Sequence, residues 1–285
     1  MSLSERDQTR RSFLKTTSAL AVGGGAFFRS AFSAGKQIPI GVQLYCVRKE
    51  LAENFDETMA AVAEIGFDGV EYADYFGRSA RELRKSLDDN GLKCCGNHIV
   101  LPDMLGDKLK ETVEFNQTLG NPYLIVRSLG KSLWSSPEEF NKTIGLFNEV
   151  AENLRPQGLR VGYHNHDYIF GKFDGKFLWD ILADGTSKDV ILQLDTGNAM
   201  VQSGVDVVAL LKRHPGRTGT IHIKPYSSKK PDAYLGEDEL DWPTIIKLCQ
   251  TSAGTEWYIV EYEVEGIPPL KALKDNYLLF KKLVA

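Results

Sequence analysis

Eight short apolar runs punctuate residues 38–263, and longer stretches with helical periodicity separate them. The runs are IPIGVQL (38–44), GVEYA (69–73), LKCCGNH (92–98), YLIVRS (123–128), RVGYHNH (160–166), VILQLD (190–195), TIHIK (220–224) and WYIVEYE (257–263). Several are apolar at nearly every position, which is the pattern of a parallel strand buried on both faces. The segments between them carry helix stop signals at Gly66, Gly91 and Gly120, where a left-handed residue ends the turn. Start signals agree: Ser136 precedes Pro137, and Asp241 precedes Trp242-Pro243. A last helix is expected from about Pro269 to Leu283. Strands that alternate with helices predict a parallel sheet with crossover helices, and eight such units predict a single closed (β/α)8 barrel.

Charge and the first residues add a location to this picture. Thr9-Arg10-Arg11-Ser12-Phe13-Leu14-Lys15 has the form of a twin-arginine export signal, followed by a weakly apolar stretch from Ala19 to Phe28 and small residues up to Ala34. Residues 1–34 therefore read as a signal peptide, cleaved near Ala31-Phe32-Ser33, and residues 35–285 as the barrel. The apolar stretch is too short and too glycine-rich for a membrane anchor, so a periplasmic protein is expected. The export route carries folded proteins, which suits a chain that takes up its metal before crossing. The whole chain has a formal charge of −4, and removing five basic and two acidic residues with the signal makes it −7. An acidic barrel is a poor partner for nucleic acid or for an anionic membrane. Its composition is compatible with a homo-oligomer. The four cysteines show no pairing pattern, and Cys94 and Cys95 face opposite sides of one strand, so buried thiols are expected.

The chemistry gathers at the strand ends. His164, Asp195, His222 and Glu261 stand one each near the ends of four successive runs, and a closed barrel directs such ends to a shared mouth. Any one of them alone reads as a solvated or hydrogen-bonded core residue. Four in succession read as ligands of one divalent cation. Nitrogen and oxygen donors without thiolate suit Mn²⁺, Zn²⁺, Co²⁺ or Mg²⁺. Alternation along each strand puts His166 on the face of His164, Gln193 on that of Asp195, Lys224 on that of His222 and Glu263 on that of Glu261. Glu261, or Glu263, is then the candidate base, and Lys224 or His166 supplies a proton or steadies a developing oxyanion. Glu71, His98, Arg127 and Gln193 are candidates for binding substrate hydroxyls. Tyr45, Tyr72 and Tyr168 could stack on a sugar or fill the rim, and Trp242 reads as structural because it stands beside a helix cap. The long polar connection from Tyr226 to Trp242 reads as a lid.

The phrases Ile40-Gly41-Val42-Gln43-Leu44-Tyr45, Gly69-Val70-Glu71, Tyr163-His164-Asn165-His166-Asp167, Leu194-Asp195-Thr196-Gly197-Asn198, Ile221-His222-Ile223-Lys224 and Ile259-Val260-Glu261 together resemble the xylose isomerase-like barrel proteins, the sugar phosphate isomerase/epimerase group. The resemblance covers essentially all of residues 35–285. It implies one divalent metal at the C-terminal mouth, with Asp195, His222 and Glu261 among its ligands, and a sugar, keto-sugar or inositol derivative as substrate. Sugar epimerases of this group use a strand-five glutamate as both ligand and base. His164 stands there instead, and a metal-bound imidazole has no lone pair left to take a proton from carbon.

The leading expectation is thus a metal-dependent sugar isomerase or epimerase that abstracts a proton next to a carbonyl. One alternative is a lyase or hydrolase of 3-keto-glycosides acting by β-elimination, which an exported location poor in sugar phosphates favours. Another is a noncatalytic sugar-binding barrel, against which Lys224 and Glu261 argue. A phosphodiester endonuclease would need more ligands and a basic groove than five histidines in an acidic chain provide.

Overall fold

Parallel pairing runs the whole way round the sheet. The strands β1 (Ile40–Gln43), β2 (Gly69–Tyr72), β3 (Lys93–Ile99), β4 (Tyr123–Val126), β5 (Arg160–His164), β6 (Ile191–Asp195), β7 (Thr220–Ile223) and β8 (Trp257–Val260) neighbour one another in chain order, and β8 pairs back onto β1 through Gly41↔Ile259 and Val42↔Val260. The computed structural model describes residues 37–202 and 205–285; the export-signal expectation for residues 1–34 lies outside them. All eight expected strands are present, one per apolar run.

Among the described residues, eight helices of seven or more residues cover the outside: α1 (Phe55–Ile65), α2 (Ala80–Asp89), α3 (Lys108–Leu119), α4 (Pro137–Leu154), α5 (Leu178–Gly185), α6 (Val207–Arg213), α7 (Trp242–Thr251) and α8 (Pro269–Val284). Their ends follow from the local sequence. Gly66 and Gly120 end α1 and α3 in the left-handed region, at φ 108° and 76°. Ser136 Oγ accepts from Glu139 N–H at 3.2 Å to open α4, and Asp241 Oδ1 accepts from Thr244 N–H at 3.2 Å to open α7. Ser79 and Glu82 form a reciprocal capping box on α2. No helix of the described residues is long and apolar enough to cross a membrane.

Two apolar layers result. Outward-facing strand residues such as Val70, Leu124 and Val161 pack with Met59, Leu83 and Phe147 of the helices, while Cys95, Tyr123, Ile125, Ile191, Trp257 and Ile259 fill the lower interior of the barrel. The four cysteines are buried thiols, with Cys94 in the outer layer and Cys95 in the inner one. A bulge makes that possible. Val70 pairs with Cys94 and Glu71 with Gly96, so Cys95 is skipped, and both Cys95 and His98 point inward although only Gly96 and Asn97 lie between them.

The connection from Tyr226 to Trp242 is not a lid. Ala233 and Leu235 are buried, Tyr234 stacks on Tyr262 with centroids 5.1 Å apart, and Leu235 N–H donates to Asn276 Oδ1 of α8 at 3.2 Å. These contacts hold it against α8 and away from the pocket described below. Trp242 is buried at the start of α7 with its indole N–H on Asp238, a structural role as expected.

Candidate metal centre

The strand ends deliver four donors to one point. His164 closes β5, Asp195 closes β6, His222 is the third residue of β7, and Glu261 directly follows β8. One ligand atom from each lies within 4.8 Å of the others, and all four residues are buried. His222 Nδ1 is 2.7 Å from Glu261 Oε2 and 3.6 Å from Asp195 Oδ2, and His164 Nε2 is 4.0 Å from the same Asp195 oxygen.

A layer of fixed protons beneath decides which nitrogens face that point. His222 Nε2 donates to Glu71 Oε2 at 2.6 Å, which reserves Nδ1 for the cluster. Gln193 Nε2 donates to Glu71 Oε1 at 2.7 Å and to Thr220 Oγ1 at 2.9 Å, so its Oε1 is the acceptor for His164 Nδ1–H at 3.0 Å and His98 Nε2–H at 3.0 Å. His164 therefore turns a bare Nε2 to the cluster, where Asn198 Nδ2 approaches it at 3.4 Å. Asp195 Oδ2 and His222 Nδ1 are buried with no hydrogen-bond partner, the 2.7 Å approach to Glu261 lacking the alignment of one. Buried polar atoms left unpaired in this way fit a shared cation, and two imidazole nitrogens with two carboxylate oxygens fit Zn²⁺, Mn²⁺, Co²⁺ or Mg²⁺.

The electrostatics follow from the same packing. Burial would raise Glu71, but His98 and His222 outweigh it and hold the carboxyl well below the ordinary range. Burial would lower His222, but Glu71 and Glu261 outweigh it and hold the imidazole well above its ordinary value when no metal is bound. His164 goes the other way: burial, then His222 and His98, keep it neutral. Lys224 Nζ sits 2.7 Å from Glu261 Oε1 and 3.9 Å from Asp195 Oδ2, and these carboxylates overcome burial to keep it an ammonium. Two glycines make the room. A β-carbon at Gly96 would collide with Glu71 Oε1, and one at Gly197 would lie 2.7 Å from Lys224 Cγ.

Above the cluster opens a pocket of about 440 Å³, walled by His164, His166, Asn198, Lys224, Glu261 and Glu263, with His98 and Arg127 opposite. His166 lies parallel to Tyr168, its Nδ1 has no partner, and burial holds it below its ordinary value. Glu263 pairs with Arg48 at 2.7 Å. Tyr72 is fully buried, and the Tyr168 hydroxyl is taken by Leu129 N–H and Tyr163, so both fill the rim; Tyr45 lines the pocket.

Two expected substrate binders are placed elsewhere. Glu71 and Gln193 are fully buried, and their oxygens and amide hydrogens are used by Gln43, His98, His164, Thr220, His222 and each other. They orient the donors from below and are not among the residues that line the pocket. Reasoning from the sequence passed over Asn165 and Asn198. The Asn165 side-chain amide donates to the Asp195 carbonyl and accepts from the Asp195 N–H, and the Asn198 N–H donates to Asp195 Oδ1 at 2.7 Å. The signal for Asn198 was its place three residues after Asp195, where a helix-capping carboxylate meets a free N–H.

Residues 59–283 match the model of the xylose isomerase-like TIM barrel. The chain belongs to that family. Among curated relatives, the inosose dehydratase of Erwinia tasmaniensis is 22% identical over 264 residues, spanning 79% of this chain and 87% of that protein. A sugar phosphate isomerase/epimerase from Parabacteroides distasonis shares the fold with a TM-score of 0.77 and 21% identity, over 89% of this chain and 97% of that one. The IolI protein, solved with a bound zinc atom, aligns at a TM-score of 0.66 and 14% identity, over 87% of this chain and 98% of that one.

Proposed function

We propose that this family member is a divalent-metal-dependent lyase that removes a proton beside the carbonyl of a keto-sugar or keto-polyol and expels the β-substituent. The observation that carries the reading is the donor on β5. Where two-base epimerisation needs a second carboxylate, His164 offers an imidazole with Nδ1 tied to Gln193 and Nε2 facing the cluster. The name of the Erwinia relative describes a dehydration, an elimination of this kind. The zinc of the IolI protein supports the metal.

His164, Asp195, His222 and Glu261 would hold a divalent cation, which when bound would supply Lewis-acid polarisation of the carbonyl. Burial would raise Glu261, but its Oε1 is 2.7 Å from the Lys224 ammonium and its other oxygen would be a metal ligand, which makes its carboxylate a weak base. Burial keeps His166 neutral near pH 7 and it lines the pocket, so it is the better proton acceptor, and the base moves from Glu261 to His166. As the C–H electron pair becomes the enolate, Lys224 donates a hydrogen bond to the developing oxyanion. The enolate re-forms the carbonyl as the bond to the β-oxygen breaks, and the proton on His166 passes to the leaving oxygen to give an alcohol or water. Export by the twin-arginine route, proposed from Thr9 to Lys15, would place the enzyme among oxidised glycosides more than among sugar phosphates.

The test is turnover of a panel of glucosides oxidised at ring carbons, alongside plain ketohexoses, with and without a chelator. Release of the alcohol with an unsaturated ketone, lost on chelation, is expected. Aldose–ketose interconversion without elimination would favour the isomerase reading. Full turnover by His166→Gln, with loss in a Glu261→Gln variant that keeps its metal, would return the base to Glu261.

A further inference from the structure

A second cavity, of about 470 Å³, adjoins the pocket over the metal cluster and shares Ala73, His98 and Arg127 with it. From the barrel mouth it runs past the ends of β2 and β3 to α3. Tyr75 and Phe115 form part of its wall, their ring centroids 4.3 Å apart at 34°, an aromatic surface of the kind on which the C–H face of a pyranose packs. The rim mixes signs: Lys108 pairs with Asp103 at 2.8 Å beside Glu111. Such a rim favours a neutral ligand over an anion.

Asn97, on the same wall, is 1% exposed and has an acceptor to spare. Its orientation is fixed by its neighbours. Asn116 Nδ2 donates to the Thr112 carbonyl at 2.8 Å, so Asn116 Oδ1 faces the other way and accepts from Asn121 Nδ2 at 2.9 Å and from Asn97 Nδ2 at 3.1 Å. The remaining hydrogen of Asn97 Nδ2 goes to the Tyr75 hydroxyl. Asn97 Oδ1 is left buried without a donor. Nothing in the metal cluster uses it, and a hydroxyl group would satisfy it.

We propose that this trough is a second sugar subsite, which makes the substrate a keto-glycoside whose unreacting ring lies against Tyr75 and Phe115 while the reacting ring faces Lys224. The proposal rests on the keto-sugar lyase reading for the reacting ring alone. Together the two cavities exceed what one ring needs and approach the upper part of the ~300–1,000 Å³ typical of ligand pockets.

Affinity for an unreacting ring can be measured without any chemistry. The full chain loaded with Mn²⁺ is titrated calorimetrically with glucose and with a panel of unoxidised α- and β-linked glucose disaccharides. At least one disaccharide should bind on the order of tenfold more tightly than glucose, the worth of one or two hydrogen bonds with ring packing. Phe115→Ala removes the aromatic wall and Thr112→Leu intrudes on the trough; in each, if melting shows it folded, that margin should vanish while glucose affinity holds. Equal affinity for glucose and every disaccharide, or a margin that both folded variants keep, overturns the subsite. A margin that behaves as expected in an enzyme that turns over no keto-glycoside would support the subsite while removing the lyase reading.

Discussion

The lower interior of the barrel and its mouth are built from the same strands, two residues apart, and they are held together in opposite ways. Ile191 and Ile259 belong to the apolar plug, whereas Gln193 and Glu261 on the same faces belong to the polar mouth. Gly162 and Thr220 lead in the same way to His164 and His222. The plug is non-directional, and any side chain of the right volume serves it. In the mouth, each proton has an assigned place from Thr220 through Gln193 to Glu71 and His222. The barrel can carry unpaired polar atoms at Asp195 and His222 because the apolar plug below supplies the rigidity.

That contrast can be broken most strongly at the ligands. Asp195→Ala removes the unpartnered oxygen and should lower turnover by roughly 10³-fold or more, with metal content falling alongside; elemental analysis with steady-state kinetics checks both. Lys224→Met should retain the metal and lose about 10²–10³ in kcat, the scale of one oxyanion donor, since the ammonium serves the transition state. Kinetics at saturating metal would show it, and an unchanged kcat would reduce Lys224 to a partner of Glu261.

Smaller effects sharpen the boundary between the layers. Glu71→Gln turns one of two acceptor oxygens, both of which face donors, into an NH2 group and removes the charge opposite His222, and should weaken metal affinity about 10–100-fold, read by competition with a chelator. Metal affinity should also rise with pH. In the metal-free chain Glu71 and Glu261 hold His222 protonated above its ordinary value, so binding releases that proton. The metal dissociation constant should fall about tenfold per pH unit below the raised value and level off above it. Titrations in buffers of different ionisation enthalpy count the proton directly. Ile125→Val, in the plug, should cost about 0.5–1.5 kcal/mol of stability and leave metal affinity unchanged; denaturant unfolding beside the chelator assay would detect a leak between layers.

Much of this was legible along the chain. The eight runs marked the eight strands, Gly66, Gly120, Ser136 and Asp241 marked helix ends, and the four donors converge as their places at strand ends required. That Glu71 and Gln193 lie beneath the donors was not legible, because a strand-end polar residue looks the same whether it faces a pocket or the underside of another side chain. His98 reached the interior through the skipped residue at Cys95, and alternation carries no sign of such a bulge. The expected lid at Tyr226 to Trp242 was polar in sequence yet pinned by Leu235 and Tyr234.

By itself the sequence determined the barrel and the identity of the donors, because apolar runs and turn residues act locally and a closed parallel sheet leaves few places for strand ends to go. The tertiary structure decided which nitrogen of each histidine faces the cluster, which carboxylate joins the cluster and which supports it from below, and that a trough lined by Asn97 and Phe115 adjoins the pocket. Those choices depend on hydrogen bonds between groups as far apart in the chain as Glu71 and His222. Only closure of the barrel brings such groups within reach of one another.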